Sequence, residues 1–359
     1  MTTVCYIDDS PADLEHYGDR LERHGVDVVR MSPPAPFSPD KLIECRADVF
    51  LIDWELSKAG VGKTPISYQG STVAASIHEN LPEHPVILFT RKSLTGAKYG
   101  TALGAARDTF DDILLKGEVE KAADRAARKL EDLGVGYRLL RRKRRRDWRS
   151  VAELLRARPA EADALQKAGP PLLGPAAAGP GAWQVKEIAA WIRQVLLGYP
   201  GILYDDLYAA TVLGISLESF RHPRVARYFS RARYSGVFGG FENRWWKGRA
   251  LEIAHGLLRV ARSSGSIHSG FAPAYTRRFS VTLDPARCVE CGKPTADSVC
   301  YVLKEPVHRI HSLPYYPDFR PAFMEEARVS FKVIRETDKV SDELFGASAR
   351  GELKAIRGV

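Results

Sequence analysis

Asp8, Asp9, Asp53, Thr90 and Lys116 are spread over more than a hundred residues of this sequence, yet each closes an apolar, strand-like run. Asp8 and Asp9 end the run from Thr3, Asp53 ends Val49–Asp53, Thr90 ends Val86–Thr90 and Lys116 ends Asp112–Lys116. If those runs are parallel strands of one sheet, all five side chains emerge on one edge, where open α/β folds bind ligands. Three carboxylates held together repel one another, and a divalent cation relieves the repulsion. Mg²⁺ suits such a site, because it takes one or two carboxylates and keeps other positions for water and phosphate oxygens. An aspartate beside such an ion can attack phosphorus. The hydroxyl of Thr90 and the ammonium of Lys116 could then bond phosphoryl oxygens.

A second group lies near the C-terminus. Cys288-x2-Cys291 is followed by Cys300, His308 and His311, with Gly292 in the knuckle after the first pair. Two thiolates at this spacing suit tetrahedral zinc. Cys300 is read as the third ligand, and His308 and His311 compete for the fourth place. Four protein ligands would close the site, so a structural zinc is expected. Cys5 and Cys45 stand apart and read as small core hydrophobes.

Charge is concentrated as well. The chain carries a net +9, and Tyr137–Arg149 alone holds eight basic residues against Asp147. Such a block can bind nucleic acid, an acidic partner or an anionic surface, or it can be a solvated helix. Its position suggests contact with nearby acids of the preceding region such as Asp108, Asp111 and Asp112. Farther on, Leu207–Phe220 resembles the core of a helix-turn-helix, with Ala209 and Ala210 for close packing, Gly214 for the turn and Ser216 as a cap. Arg221, Arg224, Arg227, Arg231 and Arg233 follow, although Pro223 would disrupt a recognition helix. In Tyr234–Lys247 glycines alternate with aromatics. Trp245 and Trp246 there could stack on a base, and the core reading is preferred for at least one of them. Gly60-Val-Gly-Lys-Thr64 lacks the full phosphate-loop spacing and is not read as a nucleotide site.

The elements that must position these residues follow from periodicity. Strand candidates Thr3–Asp8, Val26–Met31, Val49–Asp53, Val86–Thr90 and Asp112–Lys116 alternate with helix candidates Pro11–His24, Lys41–Cys45, Ser71–Asn80 and Thr95–Ala105. A fifth helix carries Val119, Ala122, Ala123, Ala126, Leu130 and Leu133 at helical spacing. Five β–α repeats predict a parallel sheet covered on both faces. Gly134 and Gly136 are expected to break the fifth helix, and the basic segment to resume as helix through Arg158. Gly169–Gly181 reads as a Pro/Gly/Ala linker. The expected organisation is a domain over 1–133, a basic helix and linker over 134–181, a mainly helical output over 182–264 and a β-leaning, zinc-holding region over 265–359.

The five strand-end residues, in this register, resemble the receiver domain of two-component response regulators over residues 1–133. The resemblance implies a flavodoxin-like doubly wound sheet with strand order 2-1-3-4-5. It also implies that Asp53 is the phosphoacceptor, that Asp8, Asp9, Asp53 and the main-chain carbonyl of Glu55 hold Mg²⁺, that Thr90 is the switch hydroxyl and that Lys116 senses the phosphate. The donor would be a sensor histidine kinase. Three departures weaken the usual relay: Ile113 stands where an aromatic is common, Gly117 stands where proline is common, and the Ser57–Gly70 loop is long. No stretch reaches the roughly 18–20 apolar residues of a membrane span. Met1–Asp9 lacks the basic start of a secretory leader, so a cytoplasmic location with reduced cysteines is expected. The output is expected to bind DNA through Arg138–Arg149 and Leu207–Arg233, with a protein-interaction or scaffold role as the alternative. A homodimer is compatible with either. No nucleophile–base pair is found beyond residue 135.

Overall fold

The computed structural model describes residues 1–359 except 36, 57, 60–63, 92–108, 144–146, 170–184, 263–265, 337–340, 347–348 and 358–359. The chain divides into two compact units. The first comprises Met1–Ala157, Pro170–Arg193 and Ser235–Glu242, and the second comprises Arg158–Gly169, Gln194–Tyr234 and Asn243–Val359.

In the first unit five strands form one all-parallel sheet: β1 (Thr3–Ile7), β2 (Asp27–Met31), β3 (Val49–Asp53), β4 (Val86–Thr90) and β5 (Asp112–Leu115). Their spatial order is β2-β1-β3-β4-β5. β1, β3 and β4 lie in the middle and are buried almost throughout, as continuous Val/Ile/Leu/Phe runs should be when helices cover both faces. Register aligns the functional ends. Ile7 faces Ile52 across the β1–β3 pair, which brings Asp8 beside Asp53. Thr90 faces Leu115 across the β4–β5 pair, one residue before Lys116.

Helices Pro11–Glu22 (α1), Pro39–Glu44 (α2) and Gly70–Asn80 (α3) return the chain between strands. α1 starts at Pro11, whose missing N–H costs nothing in a first turn, and Ser10 caps it by accepting from Asp13 N. α3 starts where only glycine fits, because a Cβ on Gly70 would overlap the Asp53 carbonyl. The expected helix Thr95–Ala105 falls outside the described residues, as does most of Gly60–Thr64. In the long loop after Asp53, Lys58–Ala59 and Thr64–Pro65 pair antiparallel.

The fifth helix differs from expectation. It is two helices, Lys116–Lys121 (α4) and Ala123–Arg142 (α5), and α5 runs straight through Gly134 and Gly136. Close approach explains both glycines. A Cβ on Gly134 would overlap the Thr2 side chain, and one on Gly136 would overlap the Phe238 ring. Residue 133 therefore lies inside a helix. Part of the basic block is engaged: Arg138 Nη1 lies 3.0 Å from Asp48 Oδ2, and Arg141 reaches Asp48 at 3.5 Å, while Arg144, Arg145 and Arg146 lie outside the described residues. Asp111 and Asp112 are met by other cations, from the segment beyond the linker. Lys186 Nζ lies 3.5 Å from Asp111, and Arg193 pairs with Asp112.

That segment, with Val185–Ala190 helical (α8, after α6 Trp148–Leu154 and α7 Pro159–Ala168), joins Ser235–Glu242 in lining the α5 face. Phe238 meets Tyr137 edge-on with centroids 5.7 Å apart. Gly240 N donates to Asp132 at 2.9 Å, and Val237 N donates to the Leu154 carbonyl at 3.1 Å.

The second unit is mainly helical and holds two cores, an aromatic one that includes Phe220, Phe229, Trp245, Phe271 and Tyr275 and a C-terminal one that includes Cys300, Leu313, Val329, Ile334 and Phe345. Besides α7, its helices among the described residues include Asp206–Val212 (α9), Leu217–Arg221 (α10), Pro223–Tyr228 (α11), Lys247–Val260 (α12), Ile267–Phe279 (α13), Phe331–Glu336 (α14) and Arg350–Arg357 (α15). Among the described residues, the C-terminal region expected to lean to β structure has two short antiparallel strand pairs, Ser298–Val299 with Pro306–Val307 and Ser312–Pro314 with Arg328–Ser330. Both tryptophans are core residues, at 3% and 1% exposure, and Trp245 Nε1 donates to Asp206 at 2.8 Å.

Substituting Gly136 with Ala should lower the midpoint of thermal unfolding, because overpacking against Phe238 costs about 1–3 kcal/mol and outweighs the gain of about 1 kcal/mol in helix propensity. Gly256→Ala on α12, where a Cβ meets open space, should raise the midpoint. Thermal denaturation of both variants checks the contrast.

Candidate functional site

The carboxyl edge of the sheet gathers the sequence-predicted residues into one cavity of about 540 Å³, whose lining includes Asp8, Asp9, Asp13, Asp53, Thr90 and Lys116. The strand order places a switch point between β1 and β3, where a crevice must open, and those strands deliver Asp8, Asp9 and Asp53. One carboxylate oxygen from each of the three lies within 4.8 Å of the others. Glu55, exposed, follows on the loop, and its N–H donates to Asp53 Oδ2 at 3.2 Å. Thr90 is buried at the end of β4.

Lys116 sits at the centre. Its Nζ lies 2.7 Å from Asp8, 2.9 Å from Asp13 and 3.1 Å from Asp53. The side chain is 4% exposed, so its charge has little water and must be met by carboxylates. Burial alone would lower the pKa of this ammonium, but Asp53 and Asp8 outweigh it and hold it above the usual lysine value. The reverse balance acts on Asp53. Burial pushes its carboxyl up, Lys116 pulls it down, Asp8 adds repulsion, and the result is about 6. Asp8 is further fixed by the Tyr6 hydroxyl at 2.6 Å and by Ser10 N at 2.9 Å.

Asp13 was missed in the sequence. It stands in the first turn of α1, bonds Lys116, and accepts from Arg91 at 2.6 Å. The available signal was its place one turn into the helix that the Asp8–Asp9 pair precedes. The donor set fits a hard divalent cation. Four carboxylates, Asp8, Asp9, Asp13 and Asp53, line the open cavity with one lysine ammonium, which leaves negative charge and room for water and phosphate oxygens.

The Cys/His group assembles differently from its expected form. Cys288, Cys291, His308 and His311 converge, one ligand atom from each within 4.8 Å of the rest. Cys300 is not among them. It is fully buried, its Sγ lies 3.5 Å from Ser330 Oγ, and it accepts from Ser330 N at 3.4 Å. Both histidines take part, so they do not compete for one place. Two of the group's edges have the length that tetrahedral coordination requires. Metal–sulfur bonds of about 2.3 Å and metal–nitrogen bonds of about 2.0–2.1 Å set a sulfur–nitrogen edge of about 3.6 Å. Cys288 Sγ lies 3.6 Å from His311 Nδ1, and Cys291 Sγ lies 3.5 Å from His308 Nδ1. The Pro294 carbonyl, which can only accept, lies 3.1 Å from His308 Nε2. It therefore fixes the proton on Nε2 and leaves Nδ1 free to ligate. His308 N also donates to Cys288 Sγ at 3.3 Å, and Gly292, at φ +68°, makes the turn after the second cysteine.

The helix-turn-helix expectation meets a physical limit. α9 is capped by Asp205 and Gly214 makes the turn at φ +72°. Ser216 caps α10 as expected. However, α10 is only five residues long before His222 and Pro223 end it, and Arg221 is turned back to Asp206 at 2.9 Å. A helix of that length cannot present the successive turns that read a major groove.

Strand order, register and edge residues give the first third of the chain the fold of a response-regulator receiver domain. Among solved structures it is similar to the response regulator TrrA of Thermotoga maritima, crystallised in complex with Mg²⁺–BeF, at 18% identity over 36% of this chain and 99% of that one, with a TM-score of 0.28. It is similar also to a receiver domain of Clostridium thermocellum, at 19% identity over 39% of this chain and 99% of that one, TM-score 0.30. The receiver domain of RcsB from Salmonella enterica matches at 22% identity over 36% and 88%, TM-score 0.29. No family model and no curated protein matches the chain, and the region after the receiver has no recognised family. Among the described residues no helix is long and apolar enough to cross a membrane.

Cys288→Ser and His311→Ala should each strip any metal from the purified chain, whereas Cys300→Ser should keep it. Elemental analysis of the three variants checks this ligand set.

Proposed function

We propose that the chain is a two-component response regulator that takes a phosphoryl group from a sensor histidine kinase onto Asp53. The observation that carries the reading is the Lys116 ammonium bridging Asp8, Asp13 and Asp53 at the sheet's carboxyl edge. In this role an Asp53 carboxylate oxygen attacks phosphorus and the donor leaves, so that an acyl phosphate forms. Mg²⁺, held by Asp8, Asp9, Asp53 and the Glu55 carbonyl, would supply positive charge against the incoming phosphate. Lys116 orients Asp53 and then bonds a phosphoryl oxygen, and Thr90 offers a hydroxyl to another. The added charge of about −1.5 to −2 disturbs the balance around Lys116. α4 begins at that residue, and α5, which carries the docked segments Val185–Arg193 and Ser235–Glu242, follows it.

The second unit is read as the output, stapled by structural zinc on Cys288, Cys291, His308 and His311. Its action is nucleic-acid binding. Arg138 and Arg141, engaged with Asp48, do not serve as a free basic arm. The alternative reading is a protein-interaction module.

Incubation with Mg²⁺ and a small phosphodonor should label the wild-type chain once, with the label lost in Asp53→Asn. Intact-mass spectrometry checks it, and an unlabelled wild type or an equally labelled variant would contradict the reading.

A further inference from the structure

Two stretches of the second unit carry no acidic residue. Ser219–Tyr234 holds Arg221, Arg224, Arg227, Arg231 and Arg233, and Ile253–Leu283 holds Arg259, Arg262, Arg277 and Arg278. They are far apart in sequence, but Phe220, Val225 and Phe229 from one and Phe271, Ala274 and Tyr275 from the other share a single core. We propose that the exposed arginines of α11 and of the last turn of α13 form one face that docks on the phosphate backbone of duplex DNA. The proposal rests on the nucleic-acid reading above. It names a surface and mode of contact different from a recognition helix.

Ring contacts join the two helices. Tyr228 of α11 lies 5.6 Å from Tyr275 and 5.3 Å from Phe279 of α13, centroid to centroid. The Arg278 guanidinium stands over the Phe279 ring at 5.5 Å. Burial raises the pKa of Tyr228 and the field of Arg278 opposes it; for Tyr275 burial and Tyr228 raise it and Arg224 opposes. Each arginine thus sits close to the other helix's tyrosine. On α11, Arg224 and Arg227 are three residues apart, so they share a side of the helix. Arg224, Arg227, Arg231, Arg277 and Arg278 are all exposed.

Charge and polarity select the partner. Several cations elsewhere in this unit meet carboxylates: Arg221 with Asp206, Arg158 with Glu252, and Arg249 with Glu161. Among the described residues no ion pair reaches Arg224, Arg227, Arg231, Arg277 or Arg278. Planar guanidinium groups suit phosphate geometry. An acidic protein partner would also need an apolar centre to its interface, but the large exposed hydrophobic residues, such as Val260, Ile310 and Phe319, lie on neither α11 nor α13. A DNA backbone needs none. The aromatic rings are spent on one another, Tyr275 being 1% exposed, so the face offers charge without a stacking platform. Binding should therefore be steeply salt-dependent and weakly sequence-dependent.

The test is fluorescence anisotropy of a labelled duplex with the full chain, over a salt series, with and without prior phosphodonor treatment. Arg224→Glu combined with Arg278→Glu should weaken binding at least tenfold and reduce the log–log salt slope by about 2. Arg224→Gln with Arg278→Gln should fall between, and Arg128→Glu on α5 should bind as wild type does. Unchanged thermal midpoint and metal content show that the variants fold. Duplex binding that the double reversal leaves unchanged would overturn this face while sparing the nucleic-acid reading. A wild type that binds no duplex in either state would overturn both. Reversal-sensitive binding to polyglutamate without duplex binding would assign the face to an acidic protein and overturn the proposal.

Discussion

A single buried ammonium organises the first unit. Lys116 can stay charged at 4% exposure only because Asp8, Asp13 and Asp53 surround it, and those carboxylates can stay close only because it stands between them. Removing one partner from such a buried group typically costs about 3–5 kcal/mol. The constraint reaches far into the fold. It requires β1 and β3 to be neighbours, β5 to end level with β4, and α1 to begin two residues after Asp9 so that Asp13 turns inward. The sheet order β2-β1-β3-β4-β5 meets all of these demands. The cluster remains rich in negative charge, which is why the same edge suits a cation and a phosphoryl group.

The chain after the receiver is tied back to it covalently and by packing. It runs from α5 into α6, leaves the first unit, returns for Val185–Arg193, leaves again and returns for Ser235–Glu242. Each return is specific. Lys186 and Arg193 meet Asp111 and Asp112 at the start of β5, and Phe238 fills the groove that Gly136 leaves in α5. α4 begins at Lys116 and packs beside α5, so the helix that starts at the carboxylate cluster adjoins the one that carries these segments.

Much of the receiver was legible in the sequence, because its strands are continuous apolar runs and its site residues sit at strand ends. Val49–Asp53 and Val86–Thr90 match to the residue. What could not be read came from tertiary packing. Gly134 and Gly136 look like helix breakers by propensity, yet they mark where Thr2 and Phe238 press on α5. Asp48, which receives Arg138 and Arg141, has no local pattern to announce it. In the cysteine cluster the first pair was legible from spacing. Cys300 was not separable from a ligand, since only the fold shows its thiol turned to Ser330. Likewise, Pro223 did end the supposed recognition helix, and α13's arginines became relevant only once α11 packed against them.

The charge balance around Lys116 underlies the rest of the site. Urea unfolding of Lys116→Met, with chelator and then with added Mg²⁺, measures it. The predicted result is a loss of about 3–5 kcal/mol in chelator, partly restored by Mg²⁺ as the cation takes over the neutralising charge. A variant as stable as wild type in chelator, or one indifferent to Mg²⁺, would contradict the claim that a buried cation holds these carboxylates in a form ready for metal and phosphate.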